Sequence, residues 1–191
     1  MPRLTDASRK QRREAIAAAA MRCFARDGFA NTSMADIISE TGSSAGSVYS
    51  NFANKAELVR FAASGALDSM VAAVSEALPE KRTPATVLSG LLRSNSDRAH
   101  ARTLLQIWAE MPRDPALEEI AGQSLLELRE LVRTALRSWS QHPSRSGAAD
   151  LETITDAVLT ATQGYLVRIS IDNDVDPTVL ADGAVAVFER F

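Results

Sequence analysis

Residues 41–54 read TGSSAGSVYSNFAN, a run in which serine hydroxyls and glycines lie close together. Backbone N–H groups in a glycine-rich loop can hold phosphate, but such a loop follows a β-strand and ends in Gly-Lys-Ser or Gly-Lys-Thr. Neither feature is present here, and no charged residue lies between Glu40 and Lys55. The run is therefore either a solvated turn or a surface kept small so that another molecule can approach closely.

Residues that commonly serve catalysis or metal binding are few and scattered. Cys23 is the only cysteine, which excludes an internal disulfide and a CxxC metal site. It lies in an alanine-rich stretch, where we expect it to be a small buried apolar residue. His100 and His142 lie near predicted helix ends with no Cys or His at ligand spacing, and Glu118 and Glu119 fit a solvated helix face. We therefore expect no enzyme, no metal and no cofactor.

Charge is distributed unevenly along the chain. The 191 residues have a net charge of −3, yet residues 1–60 carry nine lysines and arginines against six acids. This asymmetry indicates that the first part of the chain meets a polyanion. The first thirteen residues lack the apolar segment of a secretion signal. No apolar run approaches the roughly 18–20 residues of a membrane span. We expect a cytoplasmic protein with no membrane partner.

The spacing of apolar residues predicts an all-α chain of about nine helices. Capping residues and clusters of glycine, proline and asparagine mark their ends. We expect a compact module at residues 1–53 and a larger helical domain at 54–191. With capping residues included, the helices are predicted at 8–27, 33–42, 44–51, 54–79, 84–98, 99–111, 114–141, 150–171 and 177–190.

The predicted helix at 44–51 follows another short helix across a tight glycine turn, which is the pattern of a helix-turn-helix. If Val48 is its buried anchor, a rotation of about 100° per residue turns Gly46, Ser47, Tyr49 and Ser50 outward. Small outward side chains let a helix lie deep in the DNA major groove, which admits little more than one helix. This favours a DNA-binding surface, with a helical module that binds another protein as the alternative.

Residues 9–60 resemble the DNA-binding module of the TetR (tetracycline-repressor-like) family of bacterial transcriptional regulators. The resemblance implies a regulator that binds a pseudo-palindromic operator as a homodimer and responds to a small-molecule effector. A repressor released by a largely apolar effector is the expectation. The residues that carry the resemblance are Gly28-Phe29, Thr32-Ser33, Ile37, Gly42, Val48-Tyr49, Phe52 and Lys55-Glu57-Leu58.

The resemblance also implies which residues contact DNA. Phosphates would be held by Ser33 with Thr32, by Tyr49 and Lys55, and by backbone amides at the start of the fourth helix. A basic arm toward the DNA backbone or minor groove would consist of Arg9, Lys10, Arg12 and Arg13. Base edges would be faced by Ala45, Gly46, Ser47 and Ser50, and the flanking Ser44 and Asn51 complete the candidates.

The reading helix, residues 44–51, contains no arginine, lysine or glutamine. The commonest specific base contact, an arginine bidentate to guanine, is therefore not available from this helix. We hypothesise that specificity depends instead on serine hydroxyls, contacts with thymine methyl groups and DNA shape.

The last two predicted helices carry apolar stripes with the 3 and 4 spacing of a coiled-coil seam. Such stripes either cover the core of their own chain or join two copies, and the resemblance favours a homodimer through these helices. A two-fold dimer would place two reading helices about 34 Å apart. The stripes consist of Leu151, Ile154, Val158, Ala161 or Thr162, Tyr165 and Ile169, and of Leu180, Ala184, Val187 and Phe191.

The resemblance implies that the middle helices enclose an effector pocket. Its candidate walls are mostly apolar, which indicates a hydrophobic or aromatic effector. The apolar candidates are Phe61, Leu104, Trp108, Met111, Leu125, Leu128 and Leu159, and the polar candidates are Arg102, Gln106 and Gln163.

Overall fold

The computed structural model describes residues 6–77, 82–141 and 150–189, and within these ranges it contains nine α-helices and no β-strand. The predicted all-α fold is confirmed. Pro79, His142 and Phe191 lie outside the described residues. The helices are α1 (Asp6–Asn31), α2 (Met34–Thr41), α3 (Ala45–Tyr49), α4 (Lys55–Ala77), α5 (Pro84–Ser94), α6 (Arg98–Glu110), α7 (Pro115–Ser140), α8 (Leu151–Ile171) and α9 (Pro177–Phe188), with a 3-10 turn at Met111–Arg113.

Side-chain caps explain most of the helix starts. Asp97, Asp114, Asp150 and Asp176 accept N–H groups of the first turns of α6, α7, α8 and α9, which satisfies donors that have no partner within the helix. α5 ends at Ser94 rather than residue 98, because the Asn95 side chain closes the helix and Asp97 already begins α6.

The first helix is longer than predicted because one more turn follows Gly28. This glycine has φ 81° and ψ 159°, so it breaks α1 before the turn that ends at Asn31. Phe29 then folds back on Phe24, with the ring centroids 4.6 Å apart and the rings edge to face. The break at Gly28 thus lets Phe29 cover one side of the core of the N-terminal module.

α1, α2 and α3 share one apolar core with the start of α4. Phe24, Ile37, Val48 and Phe52 are at most 1% exposed, and the burial of Val48 confirms it as the anchor of α3. α4 continues from this module into the larger part of the molecule, where it packs against α7. By length and composition alone α4 would also pass as a membrane span. Its packing against α1 and α7 is that of a core helix of this fold.

The apolar stripe of α8 faces the core of its own chain. Ile154, Val158, Tyr165 and Ile169 are at most 4% exposed, because α8 packs against α5, α6 and α7. The prediction that this stripe forms a seam between two copies is therefore wrong. Four apolar side chains of the last two helices, one of them Val187 of the predicted α9 stripe, are exposed, and we call them together the α8–α9 face. It contains Val167 and Ile171 of α8 and Val179 and Val187 of α9.

Candidate nucleic-acid interface

The turn between α2 and α3 is fixed by local sequence. Gly42 ends α2 in the left-handed conformation with φ 62°, and its N–H donates to the carbonyl of Ser39. Residues with a Cβ atom rarely adopt this conformation. Ser44 then begins α3, where its Oγ accepts the N–H of Ser47 at 3.3 Å. Two short helices thereby meet at a sharp angle, as a helix-turn-helix requires.

α3 presents a small, uncharged face to solvent. Ala45, Gly46, Tyr49 and Ser50 are exposed, and a Cβ atom added at Gly46 would meet no atom within 4 Å. Ser47, the remaining residue predicted to point outward, is half-buried. A surface of this kind lets another molecule come close to the helix backbone. We call these five residues the reading face.

Basic side chains of α1 border the reading face. Arg9 and Lys10 are exposed, and Lys10 forms a long ion pair with Glu14 at 3.9 Å, which contributes little at such exposure. Arg12 lies closest to α3, because its Nη1 donates to Oγ of Ser47 across 2.8 Å. The first turns of α1 therefore bring positive charge to one edge of an uncharged helix.

Arg13 belongs to the interior of the module rather than to this basic edge. Its guanidinium lies over the rings of Phe52 and Phe61, 4.1 and 4.7 Å from their centroids. It also donates to the carbonyl of Asn51 and pairs with Glu57 at 3.3 Å. Arg13 is therefore held within the chain through both terminal nitrogens and two aromatic contacts, and its DNA-contacting role, which would require some of these contacts to break, stays a prediction.

The same cluster sets the charge state of Glu57. The N–H of Ala53 donates to its Oε2 at 2.9 Å, and this bond together with Arg13 lowers the pKa of Glu57. Glu57 N–H in turn donates to Oδ1 of Asn54 at 2.9 Å. Asn54 thus caps the fourth helix, and an anionic carboxylate lies at the start of α4.

Thr32 and Ser33, the two residues predicted to contact phosphate at the start of α2, have different surroundings. Thr32 is 2% exposed, and its Oγ1 donates to the carbonyl of Gly28 at 2.8 Å, so its predicted role is wrong for the side chain. Ser33 is exposed, but its Oγ and N–H both donate to Oδ2 of Asp36, at 2.6 and 2.8 Å. These bonds lower the pKa of Asp36. A phosphate at Ser33 would have to displace this carboxylate.

Asn51 follows α3, and Lys55 is the first residue of α4. Nζ of Lys55 lies 3.5 Å from the carbonyl of Ala30, so the ammonium lies at the surface between α1 and α4. Asn51 is half-buried, and its Nδ2 donates to the carbonyl of Ser47 at 2.8 Å. Asn51 therefore closes α3, while Lys55 places a positive charge at the start of α4, beside the end of α1.

Comparison with known proteins agrees with this arrangement. Residues 16–61 match the model of bacterial regulatory proteins of the tetR family. Residues 79–191 match the C-terminal domain of BetI-type transcriptional repressors. This chain belongs to the TetR family. It is a DNA-binding transcriptional regulator and not an enzyme. No curated protein sequence matches the chain.

Solved structures share the fold of this TetR-family regulator along nearly its whole length. A transcriptional regulator from Rhodococcus sp. Rha1 is 22% identical with a TM-score of 0.78, covering 93% of this chain and 96% of that one. A regulator from Saccharomonospora viridis in complex with choline has a TM-score of 0.80 at 16% identity, covering 94% and 96%. FadR from Bacillus subtilis in complex with stearoyl-CoA has a TM-score of 0.72 at 17% identity, covering 92% and 96%.

A small cavity lies in the larger domain, enclosed by α4, α5, α6, α7 and α8. Its volume is about 20 Å³, enough for about one water molecule. Five predicted pocket residues line it: Trp108, Leu125, Leu128, Leu159 and Gln163. Six further lining residues were missed from the sequence: Met70, Val74, Leu91, Asn95, Thr162 and Leu166.

The other predicted pocket residues lie away from this cavity. Phe61 contacts Arg13 in the N-terminal module, and Arg102 donates to the carbonyl of Ser170 at 3.0 Å. Leu104 is completely buried in the core. Gln106 and Met111 are half-buried, and neither lines the cavity. Helix periodicity showed that α6 is amphipathic, but not which of its residues would meet α4 and α8.

Proposed function

We propose that this regulator is a repressor that binds a pseudo-palindromic operator as a homodimer and is released by a small, largely apolar effector. The observation that carries the proposal is the uncharged reading face of α3, to which Arg12 of α1 is hydrogen-bonded. Arg9 and Lys10 in the exposed first turns of α1 and Lys55 at the start of α4 add positive charge to the same module. Residues up to about 53 would bind DNA, and the remainder would bind the effector and a second copy. The protein would act in the cytoplasm.

The reading face fits the major groove by size and charge. Side chains no longer than serine, apart from Tyr49, allow the backbone of α3 to approach base edges in a groove that admits one helix. Cations at its borders then meet phosphates on the two strands, since phosphate contacts fix the register of such a helix. The first turn of α4 would add backbone N–H groups.

The α8–α9 face supports a homodimer. Ile171, Val179 and Val187 are each more than half exposed, and apolar side chains gathered on one surface are typical of an interface. A Cβ atom at Gly164 or Gly183 would meet nothing within 4 Å, so helices of a second copy have room to approach closely. A two-fold axis through this face would present two α3 helices about 34 Å apart.

The cavity supports an apolar effector. Two of its three polar lining residues, beside Gln163, are already engaged: Asn95 Nδ2 donates to the carbonyl of Leu91 at 2.8 Å and Thr162 Oγ1 to that of Val158 at 2.9 Å. Trp108 is its one aromatic lining residue, and no carboxylate lines it. A cation such as the choline bound by one structural neighbour is best held by several aromatic rings. An acyl chain, such as that of the stearoyl-CoA bound by another structural neighbour, suits the apolar walls of this cavity better.

A cavity of about 20 Å³ must open to admit an effector, and opening it would move its walls. Two of its lining residues, Met70 and Val74, belong to α4, which runs directly into the DNA-binding module. An effector that binds the opened state more tightly shifts the population toward it. Such a shift would change the spacing of the two reading helices in a dimer and so lower operator affinity.

DNA binding is tested by operator selection on the purified protein, followed by gel shifts over a range of salt concentrations. Affinity should fall steeply with salt because phosphate contacts release counterions, and Lys55→Ala should reduce the slope by about one unit. Arg93→Ala is the matched control, because the Arg93 side chain is 70% exposed but lies on α5 of the larger domain; its slope should equal that of the wild type. A DNA affinity that does not change with salt concentration would contradict the proposal.

The effector is tested on the same complex with saturated acyl compounds of increasing chain length and with choline. Acyl compounds should release the operator, and Leu128→Trp, which fills the cavity, should abolish the release without removing DNA binding. Release by choline alone would contradict an apolar effector.

A further inference from the structure

The reading helix carries no charged side chain, yet the fold brings a guanidinium to it. Arg12 lies 35 residues before Ser47 in the chain, and its Nη1 donates to Oγ of Ser47 at 2.8 Å. Ser47 belongs to the reading face, so this positive group lies along the edge of the surface that would enter the groove. The sequence of α3 alone gives no sign of it.

Most of the hydrogen-bonding capacity of Arg12 remains unused. A guanidinium has five N–H donors in a planar fork, and the bond to Ser47 uses one of them. Among the described residues no carboxylate pairs with Arg12, whereas Lys10 pairs with Glu14 and Arg13 with Glu57. Arg12 is also exposed, while Arg13 is largely enclosed. Arg12 is therefore free to bind a further acceptor while it stays attached to α3.

We propose that Arg12 is a specificity-determining residue that reads a guanine in each half-site, and that Ser47 orients it. The inference rests on the proposed function, because it requires α3 to lie in the major groove. A guanidinium attached to a side chain of the reading face enters the groove together with α3. Its planar fork matches O6 and N7 of guanine, the commonest specific contact in that groove. Specificity then does not depend on serines, methyl contacts and DNA shape alone.

Arg9 and Lys10 lack the hydrogen bond to α3 on which the specificity role proposed for Arg12 depends. They lie nearer the start of α1, and no hydrogen bond to α3 is present for either within the described residues. Cations of this kind bind phosphates, which positions a protein on DNA without reading sequence. Lys10 is thus the matched comparison for Arg12, since both are exposed cations of the same helix two residues apart.

The experiment compares operator selection for the wild type, Arg12→Lys, Ser47→Ala and Lys10→Ala. The wild-type motif should contain one guanine per half-site that disappears with Arg12→Lys, because an ammonium keeps the charge but loses the fork. Replacing that guanine should weaken wild-type binding by about 5- to 140-fold and leave Arg12→Lys unaffected. Ser47→Ala should reduce the guanine preference, and Lys10→Ala should weaken all sequences alike. Thermal melting confirms that each variant is folded.

Two results would overturn the inference. One is an unchanged motif for Arg12→Lys. The other is an Arg12→Ala variant that weakens binding to every sequence equally and lowers the salt slope by about one unit, which is the behaviour of a phosphate contact. A wild-type protein that selects no operator would overturn the proposed function itself. This outcome is seen before any variant is compared.

Discussion

Arg13 connects three elements that are far apart in sequence. It extends from α1 to the neighbouring rings of Phe52, which follows α3, and Phe61 of α4, and it bonds Asn51 and Glu57 at the same time. A planar guanidinium can stack on aromatic faces while its edge donates hydrogen bonds, which an ammonium cannot do. The reading helix is thus held against α1 and α4 through one side chain.

We expect Arg13→Lys to lower the free energy of unfolding by about 1–3 kcal/mol, since it loses cation–π contacts and charge-assisted hydrogen bonds in a partly buried site. Urea denaturation followed by circular dichroism measures this change. Arg12→Lys is the control, because the exposed neighbour should change stability by less than about 0.5 kcal/mol. Equal effects of the two substitutions would show that the cluster does not hold the module together.

Among the elements, the junction of α4 with α7 depends on an ion pair. Nε of Arg60 in α4 lies 2.8 and 3.1 Å from the two carboxylate oxygens of Asp114. Asp114 also caps α7 by accepting N–H groups of Ala116 and Leu117. One carboxylate therefore fixes both the start of α7 and its contact with the helix that leads to the DNA-binding module.

This ion pair predicts a pH dependence. Arg60, and to a smaller extent the N–H groups at the start of α7, lower the pKa of Asp114 from its ordinary value of 3.8. Because the folded-state pKa is the lower one, the stabilisation is present above pH 3.8 and is lost as pH falls through the folded-state value. Arg60→Met should therefore raise the pKa of Asp114 and cost more stability at neutral pH than in acid.

Carboxyl chemical shifts of Asp114 during an NMR titration measure the pKa, and urea denaturation at the two pH values measures the stability. Arg113→Met is the control, since Arg113 pairs with Glu110 and not with Asp114. A loss of stability with Arg60→Met that is the same in acid and at neutral pH would contradict the assignment.

At the scale of the whole molecule, α8 carries apolar side chains on two sides, one used in folding and one that we propose for association with a second copy. The stripe at Ile154, Val158 and Ile169 is used within the chain, and the α8–α9 face is left exposed. Two-fold symmetry requires that the exposed surface be complementary to itself. Small residues such as Gly164 and Gly183 meet this requirement because they lack protruding side chains.

We expect Val179→Asp to convert the protein to a monomer and to weaken operator binding, because a charge in the α8–α9 face would be buried without a partner. Sedimentation velocity measures the oligomeric state and gel shifts measure operator affinity. Leu126→Asp is the matched control: Leu126 is 64% exposed and Val179 is 70% exposed, but Leu126 lies on α7. A Val179→Asp protein that remains dimeric would place the interface elsewhere.

The sequence by itself determined the features that depend on neighbours in the chain. Helix starts follow from caps such as Asn54 and Asp114, and the turn after α2 follows from Gly42, because these effects act over three or four residues. The buried position of Val48 followed from helix periodicity in the same way. The family motifs lie in this locally determined part.

Only the tertiary structure decided which amphipathic side meets which neighbour. It turned the α8 stripe inward, directed Trp108 rather than Gln106 to the cavity, and placed Arg12 at Ser47 but Arg13 against two phenylalanines. Periodicity gives the apolar side of a helix but not the rotation and crossing at which helices pack. Those depend on the fit of side chains from several helices at once, and the candidate site is built from such contacts.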